Sequence, residues 1–331
     1  MRRARTTALW IVLAVLAAAC GGGGAGGAGA GPTDDPDAAT DLAVAVASFD
    51  VAVGDGQRLM AGLFSPQREL LAFGSVTFEL GFLGDEPTGS AASTETVRAD
   101  FLPVPGMEPD GTSPTPRFIT DSPGSGVYAA TVDLDRPGFW ALRVSAELED
   151  GAVLTGTTSF RVLEAPEVPA VGAQAPRTAN LTIADIEAGA AEPVALDSRA
   201  QRPDDPLPDP HLHEHTIAEA LEAERPVVAV FSTPVYCQSR FCGPLVNIVS
   251  ELALRHDDRA EFVMVEVWED FDEMRLNDAA AEWIQTETGG NEPWVFLIDG
   301  DGTILARWDN VLNVSELERK LAALPETAPL P

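Results

Sequence analysis

The chain has 331 residues, long enough for two domains, and carries a formal net charge of −31 from 52 acidic and 21 basic residues. So anionic a surface repels polyanions and anionic lipid headgroups, which excludes nucleic acid as a partner. Lys320 is the only lysine, and the acidic residues are spread along the whole length rather than gathered in a tail, a pattern that suits solubility outside the cell or in a salty setting.

The N-terminus carries Arg2, Arg3 and Arg5, then the apolar run Ala8-Leu-Trp-Ile-Val-Leu-Ala-Val-Leu-Ala-Ala-Ala19, then Cys20. A basic start, a short apolar run and small residues before a cut point make residues 1–20 a secretory signal. The run falls short of the roughly 20 apolar residues that a membrane span needs. Leu16-Ala-Ala-Ala-Cys20 resembles the lipobox of bacterial lipoproteins, with Ala17 where leucine is commonest. The resemblance implies cleavage before Cys20, a diacylglycerol on its thiol, and a chain held at the cell membrane on the extracytoplasmic side. A secreted protein with a chance cysteine is the alternative. Residues 21–40 are rich in glycine and alanine and read as a flexible tether. With Cys20 assigned to lipid, Cys237 and Cys242 remain as an even set in a compartment where disulfides persist.

Residues 41–165 read as all-β. Short apolar or alternating segments at 42–47, 58–64, 75–80, 127–134, 139–144 and 159–163 are bounded by turn residues such as Ser65-Pro66, Arg136-Pro137-Gly138 and Glu149-Asp150-Gly151. Many short strands at this spacing predict a β-sandwich. Gly126-Val-Tyr128 and Pro137-Gly-Phe-Trp140 resemble the end of an immunoglobulin-like or fibronectin-like module, although the Cys…Trp…Cys signature of antibody-type domains is absent. Residues 84–125, rich in Pro, Gly, Ser and Thr, read as a long loop, and the proline-rich stretch 166–210 reads as a linker.

From residue 211 the periodicity changes. Thr216-Ile-Ala-Glu219 is a capping box opening a short helix over 217–223. Residues 226–232 are apolar on both faces, as a central parallel strand requires. Leu245, Ile248, Val249 and Leu252 follow helical spacing. A second central strand covers 261–267, Asn277 caps a helix holding Trp283, and residues 294–308 form a hairpin about Asp299-Gly-Asp-Gly302. Ser315-Glu-Leu-Glu318 is a second capping box before the last helix.

This succession over residues 211–325 resembles the thioredoxin fold, an α/β arrangement with helices on both faces of a mixed sheet. The cysteines directly follow the first central strand, and Glu292-Pro293 precedes the hairpin, where thioredoxin-like proteins keep a cis-proline facing the active cysteines. Val171-Gly-Ala-Gln-Ala-Pro-Arg-Thr178 resembles the lead-in of many such domains.

The cysteines lie in Thr233-Pro-Val-Tyr-Cys-Gln-Ser-Arg-Phe-Cys-Gly-Pro244, spaced Cys-x4-Cys where thioredoxins have Cys-x-x-Cys. A cysteine at a helix start meets unpaired N–H groups and the positive end of the helix dipole, both of which favour the reactive thiolate. A second cysteine nearby resolves a mixed disulfide. Counted from the strand, Cys237 takes the attacking position and the helix begins near Gly243-Pro244. Read by motif, Phe241-Cys242-Gly243-Pro244 takes the place of Trp-Cys-Gly-Pro. On one continuous helix, residues five apart point about 140° away from each other, so a bridge requires irregular chain between them. Arg240 stands between the cysteines and is read either as a support for thiolate or as a solvated charge.

Other readings compete. Some peroxiredoxins use Cys-x4-Cys, but Pro234 and Val230 stand where that family needs a hydroxyl residue and a proline. His211, His213 and His215 alternate, and on a strand they would share one face and bind a transition metal. Copper carriers of this fold add a later histidine to closer-spaced cysteines, and the only later one here is His256. The acidic stretch 268–273 reads as an exposed loop. Together the residues predict an immunoglobulin-like β-sandwich followed by a thioredoxin-like domain. The expected activity is exchange with extracytoplasmic protein thiols or disulfides, with Cys237 attacking, Cys242 resolving, Pro293 shaping the groove, and no cofactor. The rival is a non-catalytic surface binding protein stapled by a structural Cys237–Cys242 bridge.

Overall fold

The computed structural model describes residues 41–330 apart from 92, 121–123, 238, 240 and 288, so the stretches read as a signal and a tether, with Cys20, lie outside the described residues. Alternating apolar residues build β1 (Ala43–Val46), β2 (Gly54–Phe64), β3 (Leu70–Ala72), β4 (Ser75–Gly84), β5 (Glu95–Pro103), β6 (Arg117–Ile119), β7 (Gly126–Leu134), β8 (Gly138–Glu147) and β9 (Val153–Val162). They pair in one sheet of order β6-β3-β2-β7-β5-β4-β8-β9, with β1 against β2. Hydrogen bonding is thus continuous where a sandwich has two sheets. The sheet curls on itself, because Leu42 N donates to Thr155 O of β9 at 3.0 Å. Leu59, Phe78, Tyr128, Trp140 and Leu142 from its inner faces share one core.

Strand β5 corrects the reading of residues 84–125 as a loop. It pairs with both β4 and β7. Only Ala99 of its residues is buried, so the strand is written in backbone pairing rather than in a row of large apolar side chains.

The second part contains α1 (Ile183–Glu187), α2 (Ile217–Glu222), β10 (Val227–Ser232), α3 (Cys242–Arg255), β11 (Glu261–Glu266), β12 (Trp268–Asp270), β13 (Arg275–Leu276), α4 (Asp278–Ile284), β14 (Gln285–Thr286), β15 (Gly289–Gly290), β16 (Trp294–Ile298), β17 (Ile304–Asp309) and α5 (Val314–Ala323). A four-stranded sheet runs β11-β10-β16-β17, with β10 and β11 parallel and β16 antiparallel to both its neighbours. The strand period of two divides its side chains between two cores. Val228, Val230, Phe262 and Met264 pack with Leu245 and Val249 of α3 and Leu317 of α5. Ala229, Phe231, Val263 and Phe296 pack on the opposite face with Ile217 of α2 and Trp283 of α4.

The helix starts follow local side-chain chemistry. Thr216 and Glu219 form the reciprocal capping box of α2, and the Asn277 side chain accepts from Ala279 N at 3.0 Å to start α4. Helix α5 starts earlier than its Ser315–Glu318 pattern predicts. The Asn313 side chain accepts from Glu316 N at 3.1 Å, and an asparagine two residues upstream takes the capping role. Among the described residues no helix is long and apolar enough to cross a membrane.

Residues 166–210, read as a linker, are packed. Leu196, Asp197, Ser198 and Ala200 are fully or almost fully buried. Thr178 accepts from Trp283 Nε1 at 2.8 Å and donates to Glu282 at 2.6 Å. The prolines turn the chain, while its polar side chains satisfy groups on α4 and the sheet.

A polar seam joins the two parts. Asp50 receives Arg307 Nη1 at 2.6 Å and the backbone N–H groups of Glu167 and Val168. Asp309 receives Phe49 N at 2.6 Å and lies 3.7 Å from Arg58 Nη1. Burial pushes the Asp309 carboxyl up against the pull of Arg58. Beside this seam Met60, Val104, Val127 and Val311 form a small apolar cluster. Removing one partner of a buried pair leaves an uncompensated charge. Asp50→Ala is therefore expected to cost about 3–5 kcal/mol in urea unfolding, and adding Arg307→Met is expected to recover part of that loss.

Candidate active site

The site is set by the sheet. Strand β10 ends at Ser232, and its antiparallel register pairs Phe231 with Trp294, so the chain leaving β10 runs beside the chain entering β16 at Pro293. Residues 233–241 then lead to α3, and Cys237 N donates to Thr233 O at 3.1 Å to tighten the first turn of that loop. Helix α3 begins at Cys242, one residue before its expected start, and leaves Cys237 in the loop. Gln238 and Arg240 lie outside the described residues, so the reading of Arg240 is not placed by the structure.

Cys237 and Cys242 are joined by a disulfide with Cα atoms 6.0 Å apart. The two sulfurs differ in surroundings. Cys237 is half-buried, and Ser239 Oγ lies 3.3 Å from its sulfur. A disulfide sulfur carries no proton, so that hydroxyl donates. Cys242 has no exposed surface and sits at the first position of a fourteen-residue helix. Phe241, which precedes it, packs against the cluster of Met60, Val104, Val127 and Val311. Pro293 is buried, follows a cis peptide bond, and its carbonyl accepts from Asn310 N at 2.9 Å.

Two carboxyls at this edge of the sheet were not singled out from sequence. A carboxylate oxygen of Glu292 lies within 4.8 Å of both cysteine sulfurs. Burial pushes its carboxyl above the ordinary range. Its signal in the sequence was its place directly before Pro293. Glu266 ends β11 opposite Ser232 and is buried. It accepts from Ser198 N at 2.8 Å and Val267 N at 3.0 Å, and Ser198 Oγ in turn accepts from Val235 N of the cysteine loop at 3.2 Å. Burial outweighs these hydrogen bonds and pushes the Glu266 carboxyl up to about 7.

Aromatic residues continue the site on one side. Tyr236 stacks on Phe271 with centroids 4.0 Å apart, and Trp268 meets Phe271 edge-on. The stretch 268–273, read as an exposed acidic loop, is therefore a β12–β13 hairpin whose aromatics pack on the residue before Cys237. A cleft of about 670 Å³ opens there, lined by Leu181, Gln201, Tyr236, Trp268, Phe271 and acidic residues.

The histidines do not converge. His211, His213 and His215 lie on and after a 3₁₀ turn over Pro210–Leu212, not on a strand, so alternate residues do not share a face. His211 Nε2 is 3.2 Å from Ser250 Oγ. His213 is fully buried with Nε2 3.8 Å from Asp197. His256 caps the far end of α3, about 20 Å along the helix from Cys242. Among the described residues the only metal-compatible cluster is Cys237, Cys242 and Glu292, and its sulfurs are bonded to each other. No known protein family's signature matches this chain, and no curated protein is similar to it.

The folded protein keeps the Glu266 proton up to about pH 7, whereas an unfolded chain releases it near the ordinary value of 4.5. Folding stability therefore falls as pH rises between these values and levels off above them, by at most about 3 kcal/mol. Glu266→Gln is expected to remove this slope, read as the difference between wild-type and variant urea midpoints from pH 4.5 to 8.

Proposed function

We propose that the chain is a lipid-anchored, extracytoplasmic thiol–disulfide exchange protein whose second part is a thioredoxin-like domain and whose first part is an immunoglobulin-like module. The strand order β11-β10-β16-β17, with α3 and α5 on one face and α2 and α4 on the other, supports the domain reading. The observation that carries the function is the asymmetry of the disulfide. It joins a half-buried sulfur in a loop to a fully buried one at a helix start, beside cis-Pro293.

In this reading a partner thiolate attacks Cys237, the accessible sulfur, and Cys242 resolves the mixed disulfide. Ser239 and the first turn of α3 stabilise negative charge on the two sulfurs. Pro293 shapes the groove, and the aromatic cleft beside Tyr236 receives the partner chain. Extracytoplasmic protein thiols or disulfides are the substrates, and lipid on Cys20 supplies the membrane address.

The rival is a surface binding protein in which the same bridge is a staple, and the complete burial of Cys242 favours it. The reduction potential separates the two. A value between about −120 and −270 mV is expected for exchange, and one below about −300 mV overturns it. Cys242→Ser is expected to trap a mixed disulfide with a partner through Cys237, visible on a non-reducing gel, whereas Cys237→Ser traps none. Cys20→Ala is expected to abolish labelling by a radioactive fatty acid and to release the protein from the membrane fraction.

A further inference from the structure

We propose that the Glu292 carboxyl is the proton donor and acceptor for the cysteine pair, protonating Cys242 when the disulfide opens and taking that proton back when it closes. The inference rests on the exchange reading and deepens it by assigning a further residue.

Cys242 has no exposed surface, so a thiolate released there is a buried charge far from water. The first turn of α3 offsets part of that cost but supplies no proton. Glu292 does supply one. Its carboxylate oxygen lies within 4.8 Å of the Cys242 sulfur, inside the range that a side-chain rotation or one water closes, and within the same limit of the Cys237 sulfur. The strand register holds it there. Trp294 is fixed opposite Phe231, so the residue two places earlier must lie along the loop that leaves β10. Burial, with no charged partner, pushes its carboxyl above the ordinary range, so at this place it holds a proton more tightly than an exposed glutamate does.

The neighbouring charges leave this role to Glu292. Asp309, opposite Trp294, is engaged with Arg58, and Glu266, at the end of β11, is held by the N–H groups of Ser198 and Val267. Glu287 lies upstream on the same loop, and Glu108 follows the 104–107 turn, where its carboxylate accepts from Gly106 N at 3.0 Å. Arg240 lies outside the described residues.

The chemistry balances as follows. A substrate thiolate attacks Cys237 Sγ, the bond to Cys242 breaks with its electron pair staying on Cys242 Sγ, and Glu292 protonates that sulfur and becomes a carboxylate. The second substrate thiol loses its proton to water and attacks the mixed disulfide, expelling Cys237 as thiolate. The substrate dithiol is oxidised by two electrons, and the protein disulfide is reduced. In the reverse direction the Glu292 carboxylate removes the Cys242 proton as that sulfur attacks a mixed disulfide at Cys237.

The test is reduction of the full chain's disulfide by dithiothreitol from pH 5 to 9, with rates divided by the reagent's thiolate concentration. In the wild type the normalised rate is expected to fall at least about tenfold as Glu292 ionises. Glu292→Gln is expected to be slow at pH 5 and flat, Glu292→Asp to keep a step at a moved midpoint, and Arg240→Gln to keep the wild-type profile. Superimposable wild-type and Glu292→Gln profiles overturn the proposal, as does a step that disappears with Arg240→Gln. Should the Gln variant fail to fold, carbon-13 titration of the Glu292 carboxyl in the oxidised and reduced wild type decides. A midpoint that moves between the two states supports coupling, and an unmoved one overturns it. The profile reads proton transfer at this bond whatever the reduction potential, so failure here is distinct from failure of the exchange reading.

Discussion

Strand β10 is buried on both faces along its whole length, and the rest of the second part follows from that constraint. A strand with two apolar faces must sit inside a sheet, with a layer of helices on each side. β11 and β16 supply its neighbours, and the helices divide between its faces. The consequence for chemistry is at one edge. The ends of β10 and β11 and the start of β16 meet there, and they bring the cysteine loop, Glu266 and Glu292-Pro293 to the same place. No single motif assembles this site. Parallel pairing on one side of β10 and antiparallel pairing on the other do.

The two carboxyls at this edge live in different surroundings. Glu266 is wrapped in hydrogen bonds from Ser198 and Val267, and through Ser198 it braces the loop at Val235. Its proton belongs to the architecture of the loop. Glu292 is raised by desolvation alone and has a carboxylate oxygen within 4.8 Å of both sulfurs. A group raised by burial and held by no partner is free to change protonation with the chemistry beside it, whereas one anchored by backbone N–H groups reports on folding.

Much of this was legible in the sequence, because much of it rests on local pattern. The all-apolar run at 226–232, the alternation in 139–144 and the cap at Thr216 each act within a few residues, and the elements form where those patterns stand. The elements that escaped depend on distant partners. β5 is held by pairing with β4 and β7 while burying only Ala99, so its sequence carries a weak hydrophobic signal. Residues 166–210 look like a linker by proline content, yet Thr178 and Asp197 are satisfied by groups far along the chain or by their own turns. Phe271 sits in an acidic stretch, and only the hairpin that brings it onto Tyr236 gives it a place in the site. In the site itself the cysteines and Pro293 were readable as motifs, whereas Glu292 gains meaning from a register that no short motif states.

The β-sheet module bears on the cysteines through packing. Phe241, the residue before the buried sulfur, packs against the cluster made by Met60 and Val127 from β2 and β7, Val104 from the turn after β5, and Val311. Gly106 in that turn lies against Pro244 in the first turn of α3. The start of α3 is therefore walled on one side by another part of the chain, and the Asp50–Arg307 and Arg58–Asp309 pairs hold that wall in position. Apolar packing of this kind excludes water from Cys242 more completely than a helix start at an open surface would, and water exclusion is what makes a nearby proton source matter. The module thus acts on the chemistry without contributing a reacting group: by burying the start of α3, it turns the choice of residue at 292 into a choice about the proton.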